Sequence, residues 1–172
     1  MAFTADAIAN ALLDVAKRNG EKLTPMKLQK LAYFSHGWFL AIEGKPFVNE
    51  PIYAWKFGPV IQSIYHEFKG FGESEIDRNA REVRFKNGSV DYYEPQFETE
   101  PGAGIQAAFG RALVDRMWDL YGHRSAIQLS NATHAKGTPW RQIHDRFCGS
   151  IPLGVKIPDD MIRTYFADHL KK

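Results

Sequence analysis

Cysteine is almost absent from this chain: Cys148 stands alone among 172 residues. One thiol excludes an internal disulfide and any multi-cysteine zinc site, and points away from oxidising compartments. Charge of one sign is also lacking, with 22 basic against 20 acidic residues. A net +2 gives no general attraction for nucleic acids or anionic lipids. No apolar run approaches the roughly 18 residues of a membrane span; the longest, Leu31 to Ile42, is interrupted by Ser35, His36 and Gly37. The opening residues lack the basic region and apolar stretch of a secretory signal. A cytoplasmic protein is therefore expected, with no membrane partner and with nucleic acid disfavoured. There is no repeat, no low-complexity tract and no alternation of strands with helices, which excludes a doubly wound nucleotide-binding fold.

The usual signatures of chemistry are missing too. The spacings His36 to His66 and His134 to His144 match no metal motif, and His66-Glu67 lacks the second histidine of the zinc-protease pattern. Gly102-x-Gly104 precedes a helix, but Glu98 to Pro101 before it is no buried strand, so a phosphate loop is not expected. His144 lies four residues before Cys148, a spacing that would let a base meet a nucleophile. A thiol at a helix end needs no such role. No catalytic residue, metal or cofactor is assigned, and the chain is not expected to be an enzyme.

What is present is a series of helices with local start and stop signals. Thr4 caps a first helix carrying Ile8, Leu12 and Val15, which stops at Asn19-Gly20. Thr24-Pro25 opens a second, ended by Gly44, with Leu28, Leu31, Ala32, Ser35, Trp38, Phe39 and Ile42 on one face. Lys27 and Lys30 read as its solvated side. Gly37 costs about 1 kcal/mol inside that helix, which close packing of another element would explain. Ile52 to Trp55 reads as a strand. Gly58-Pro59 turns into a third helix with Val60, Ile61, Ile64, Tyr65 and Phe68 buried. Residues 81–93 read as a hairpin around Asn87-Gly88, Val83 and Phe85 alternating before it, Val90 and Tyr92 after. Arg78, Arg81, Arg84 and Lys86 are mixed with Asp77 and Glu82, giving a solvated face rather than a nucleic-acid patch. Ile105 to Tyr121 is a helix with Ile105, Ala108, Phe109, Ala112, Leu113, Met117 and Leu120 together. Ser125, Thr138-Pro139 and Pro158-Asp159 start three more. The expectation is a mainly α (α+β) fold. It forms one compact domain over residues 1–172, with about seven helices, a small hairpin and a short extra strand.

Aromatics make up 13% of the chain. Trp38, Trp55, Tyr65 and Trp140 have polar tips that need partners when buried, while surplus aromatics anchor interfaces. Asp91 to Glu100 combines acids with aromatics. Tyr92, Tyr93, Glu94, Phe97, Glu98 and Glu100, with the hairpin, are the candidate partner-binding surface, able to complement a basic protein face. The aromatic surplus also leaves room for a homodimer.

Three segments together resemble the Panacea domain family of SocA- and GepA-like proteins. They are Met26 to Trp38, Glu50 to Phe68, and Leu129 to His134 followed by Gly137 to Trp140. The matching positions are Leu28, Leu31 and Tyr33; Trp55, Gly58, Pro59 and Tyr65; and Thr133, His134, Pro139 and Trp140, read physically as structural. Family members often carry an acid shortly after the histidine, where this chain has Ala135-Lys136, so no acid–base role at His134 is expected. The resemblance implies a bacterial or prophage antitoxin that neutralises a toxin encoded by a neighbouring gene. The implied means is direct binding, or delivery of the toxin to a ClpXP-type protease. A DNA-binding operon regulator or phage accessory protein is the alternative.

Overall fold

Caps written in the sequence set most helix ends in the computed structural model, which describes residues 2–86 and 88–171. Helix α1 (Ala5–Arg18) begins where the Thr4 hydroxyl accepts from the Ala7 N–H, and ends at Asn19 before a left-handed Gly20. Helix α2 (Pro25–Glu43) starts at Thr24, which accepts from the Lys27 N–H, and stops at Gly44 with φ of 66°. Thr138 and Ser125 cap α6 (Pro139–Arg146) and α5 (Ala126–His134) in the same way, the latter with a reciprocal Gln128 bond. Helices α3 (Gln62–Phe68), α4 (Gly104–Tyr121) and α7 (Asp159–Leu170) complete a set of seven among the described residues. The mainly α reading therefore holds.

The sheet is larger than expected. Strand β1 (Ile52–Trp55) pairs antiparallel with β2 (Gly58–Ile61) on one side and with β5 (Lys156–Ile157) on the other. Val60 and Ile61, expected in the third helix, belong to β2, and α3 begins only at Gln62. The Gly58-Pro59 turn signal is real, but the chain turns back along β1 before entering the helix. The expected hairpin exists as β3 (Glu82–Lys86) and β4 (Ser89–Tyr93). Asn87 of its expected Asn87-Gly88 turn lies outside the described residues.

The buried side chains form one contiguous cluster, and α2 runs through it. From Leu28 to Gly37 no residue of α2 is more than slightly exposed, as befits a helix surrounded by packed elements. Gly37 is where α7 crosses it: a Cβ at this position would lie 2.2 Å from the Phe166 ring. Phe166 meets Trp38 edge-on at 5.2 Å and Tyr33 at 5.9 Å between centroids. The Trp38 indole N–H donates to the Tyr121 hydroxyl at 3.0 Å, giving that tip its partner. A second aromatic group joins Phe3, Phe39, Phe47, Phe97 and Phe109, with Phe3 and Phe97 centroids 4.4 Å apart. The buried face of α4 is Ala107, Gly110, Leu113, Val114, Met117 and Trp118. It is rotated from the expected one, and Ile105 is 90% exposed.

The base of the hairpin is fixed to α1 by Asn10, which is fully buried. Its amide donates to the Ala80 and Pro95 carbonyls at 3.1 and 2.9 Å and accepts from the Ala80 N–H at 2.7 Å. One turn earlier, Asp6 is partly buried and faces Glu67, Glu82 and Glu50. Burial first, then these acids, push its carboxyl up to about 6. The folded chain therefore holds a proton there that the unfolded chain releases near pH 4, so Asp6 destabilises increasingly from about pH 4 to 6 and fully above that window. Replacing Asp6 with Asn should raise the urea midpoint at pH 8 and leave it nearly unchanged at pH 4; equal effects at both would contradict this account.

Candidate partner-binding site

The three sequence segments that carry the family resemblance meet at one place. The β1–β2 turn is held by a row of side chains from α2, α5 and α6. Gln29 on α2 pairs with Ile61 through both amide atoms, donating at 2.8 Å and accepting at 3.0 Å. Lys30 donates to the Pro59 carbonyl at 3.1 Å. From α5, Ser130 donates to the Phe57 carbonyl at 3.2 Å, and from α6 the Trp140 indole donates to the Trp55 carbonyl at 2.7 Å. The outer edge of β2 is thus covered by side chains, which leaves it little capacity to pair with another strand.

Gly58 sits at the centre of this arrangement with φ of 108°. A Cβ there would lie 2.6 Å from Lys30 Nζ, 2.8 Å from Thr133 Oγ1 and 3.3 Å from His134 Nε2. Only a residue without a side chain lets these three polar atoms approach the turn. His134 stacks on Trp140 with centroids 3.9 Å apart, and Trp140 on His144 at 4.9 Å. The His134 Nε2 atom is buried without a hydrogen-bond partner. Burial, then the neighbouring Lys30, His144 and Arg141, hold this imidazole below its ordinary value, in the neutral form. Lys30 is only 2% exposed, and burial lowers its ammonium to about 7. Its reading as a solvated helix face is corrected: it closes the edge of β2 from inside the protein.

Beside this cluster opens a cleft of about 600 Å³, within the usual size of ligand pockets. Its walls are apolar: Met26, Trp55, Phe57, Val60, Ile64, Tyr65 and Leu153 among them. Trp55 and Tyr65 meet edge-on at 4.7 Å. Its charged lining residues are Lys30, Lys56 and Lys69, with no carboxylate. Of the family-motif positions, Trp55, Gly58, Pro59, Tyr65, Thr133, His134, Pro139 and Trp140 gather around this cleft and turn. Leu28, Leu31 and Tyr33 are buried core. Sequence reasoning missed Gln29, Lys30 and Ser130, whose role depends on a strand it did not foresee.

The acidic, aromatic stretch disperses. Phe97 is fully buried between Phe3 and Phe47, so it is core and unavailable to a partner. Its ring was expected outside because acids flank it; the aromatics that cover it come from distant segments. Glu98 pairs with Arg111 at 2.8 Å and its carboxyl falls to about 2, mainly through that bond. Glu100 accepts from the Thr4 hydroxyl and backbone N–H, and Glu94 from Asn79 and Arg81. Tyr93 donates to Glu82 beneath the Arg84 guanidinium. Of the six residues, Tyr92 alone is strongly exposed and without a side-chain bond among the described residues. It shares one face of the hairpin with Val83, Phe85 and Val90, through the cross-strand pairs Val83–Tyr92 and Phe85–Val90. Phe85 is 82% exposed and Tyr92 66%.

Lys27 is occupied by the Gly122 carbonyl and Glu21, and α2 is enclosed, so it offers no face to a DNA groove. Cys148 is exposed in a left-handed turn, and among the described residues no hydrogen bond joins it to His144. No cluster of three metal-ligating side chains occurs among the described residues, and no helix there is long and apolar enough to cross a membrane.

A mainly helical chain with a small side sheet thus presents an apolar cleft at a motif-built turn and an apolar hairpin face. The family model for the antitoxin SocA-like, Panacea domain matches residues 28–141, and the chain belongs to that family. It is 35% identical over 162 residues to the antitoxin SocA of Caulobacter vibrioides (strain NA1000 / CB15N), covering 94% of this chain and 81% of that protein. No solved structure matches. The family supports an antitoxin role, and with it a toxin as partner in general terms.

Proposed function

We propose that this antitoxin neutralises its toxin by binding it directly, without catalysis, and that the apolar face of the β3–β4 hairpin is the principal contact. The observation that carries this reading is the exposure of Val83, Phe85, Val90 and Tyr92 side by side on a two-stranded ribbon. Such a ribbon gains little from displaying apolar side chains to water, whereas contiguous exposed apolar patches mark interaction sites. The opposite face is polar, with Glu82, Arg84, Asp91 and Tyr93. The ribbon base is secured to α1 by Asn10, so its apolar face is presented by a rigid support. Aromatic anchors of this kind dominate interface energies.

The test is co-expression with the product of the adjacent gene, reading growth and then co-purification. Wild type should rescue growth and bring down the toxin. The Phe85→Asp and Tyr92→Asp variants, both at exposed positions, should keep the wild-type melting temperature and lose at least ten-fold in affinity. Full rescue and retention by both variants would remove the hairpin from the interface. Rescue in which the toxin disappears unless a ClpXP-type protease is deleted would identify the complex as a delivery intermediate.

A further inference from the structure

The hairpin leaves the cleft beside Gly58 unexplained. Three observations distinguish that cleft from an ordinary surface groove. Its charged lining is all of one sign: Lys30, Lys56 and Lys69, with no carboxylate among the lining residues. In its protonated form Lys30 has three N–H donors, and among the described residues the Pro59 carbonyl is its one hydrogen-bond acceptor. The apolar rim continues outward: Met26 and Tyr65 are each 39% exposed, Phe57 61% and Leu153 95%.

We infer that the cleft is a receptor for the carboxyl-terminal end of a protein chain whose last residues are apolar. Its terminal carboxylate would point toward Lys30, and its body would run out between Phe57 and Leu153. The charge pattern selects an anion, since a carboxylate entering the cleft meets lysines and no acid. The apolar walls select a ligand in which that anion ends a hydrophobic segment. A small free acid confined to the cleft would leave Phe57 and Leu153 bare; a chain continuing over the rim covers them. Strand addition does not compete, because Gln29 and Lys30 already occupy the edge of β2. The inference goes beyond the hairpin reading and is independent of it, since the two surfaces share no residue.

The probe is an array of fluorescein-labelled heptapeptides whose last two positions vary over leucine, isoleucine, valine, methionine and phenylalanine. Each is made as the free acid and as the amide, and binding to the full-length chain is read by fluorescence anisotropy, with dodecanoate as competitor. At least one free acid should bind with Kd below about 100 µM, and its amide should bind at least ten-fold more weakly. Leu153→Asp, at a position open to solvent, should weaken the free acid about ten-fold without changing stability. Lys30→Met should abolish the difference between acid and amide. If Lys30→Met does not fold, Lys56→Glu and Lys69→Glu carry the charge test and should each narrow that difference. No binding by any free acid, equal binding of acid and amide, or binding of dodecanoate without any peptide would each overturn the inference. These outcomes leave the hairpin reading intact, because the hairpin variants are scored on toxin capture and not on peptide binding.

Discussion

The Gly37→Ala variant should unfold at a urea concentration well below wild type, having lost about 2 kcal/mol or more. Two opposing effects decide the sign. Alanine is favoured over glycine inside a helix by about 1 kcal/mol. Against this, the new methyl would lie 2.2–2.5 Å from three carbons of the Phe166 ring, far inside contact distance. Phe166 cannot step aside cheaply, since it is 2% exposed and boxed in by Tyr33, Phe34, Trp38 and Tyr165. Overpacking a dense core typically costs 1–3 kcal/mol and occasionally more, and here the whole α2–α7 crossing must open. For a chain of this length the melting temperature should fall by roughly 5–10 °C. The pairing is checked by adding Phe166→Leu. In that background Gly37→Ala should cost much less, giving a coupling energy above about 1 kcal/mol. Additive effects would mean that the glycine is needed for some reason other than the crossing.

This crossing also shows what could be read from the sequence. The expense of a glycine in mid-helix was legible, as was the need for a close neighbour; that the neighbour is α7 was not, because the two segments are far apart in the chain. Helix starts were legible in these cases, since Thr4, Thr24, Ser125 and Thr138 each bond a backbone N–H three residues on. Strands β2 and β5 were not. β2 begins with the Gly58-Pro59 pair that reads as a helix opening, and β5 has two residues, so both exist through pairing with β1. The same limit governs the site. Trp55, Gly58, Thr133, His134 and Trp140 were identified as a set by resemblance, but their convergence on one turn is a tertiary fact. Phe97 and Lys30 were misplaced for one reason: local composition reports neighbours in sequence, and their burial is decided by Phe3, Phe47 and the β1–β2 turn.

Lys30 should make the stability of this protein rise with pH from about pH 7 to 10.5. Burial lowers its ammonium from 10.5 to about 7 in the folded chain. Between those limits the unfolded chain carries a proton on this lysine that the folded chain has released, so raising the pH favours folding. Below about pH 7 the charge must be kept in the interior and the cost is complete; near pH 10.5 it has vanished. Each unit of displacement corresponds to about 1.4 kcal/mol, so the difference across the window should reach a few kcal/mol. His134, neutral and partnerless at Nε2, does not supply a compensating negative charge, and no carboxylate lines the neighbouring cleft. The Lys30→Met variant separates this term from the rest. It loses the bond to the Pro59 carbonyl, an expense of about 1–3 kcal/mol that is the same at every pH. Urea midpoints at pH 6.5 and 9.5 should therefore rise for wild type relative to Lys30→Met, whichever protein is more stable at either pH. Parallel pH profiles for the two would show that Lys30 stays charged when folded. The β1–β2 turn would then hold a cation across the whole range, and the lowering of the Lys30 ammonium by burial would be wrong.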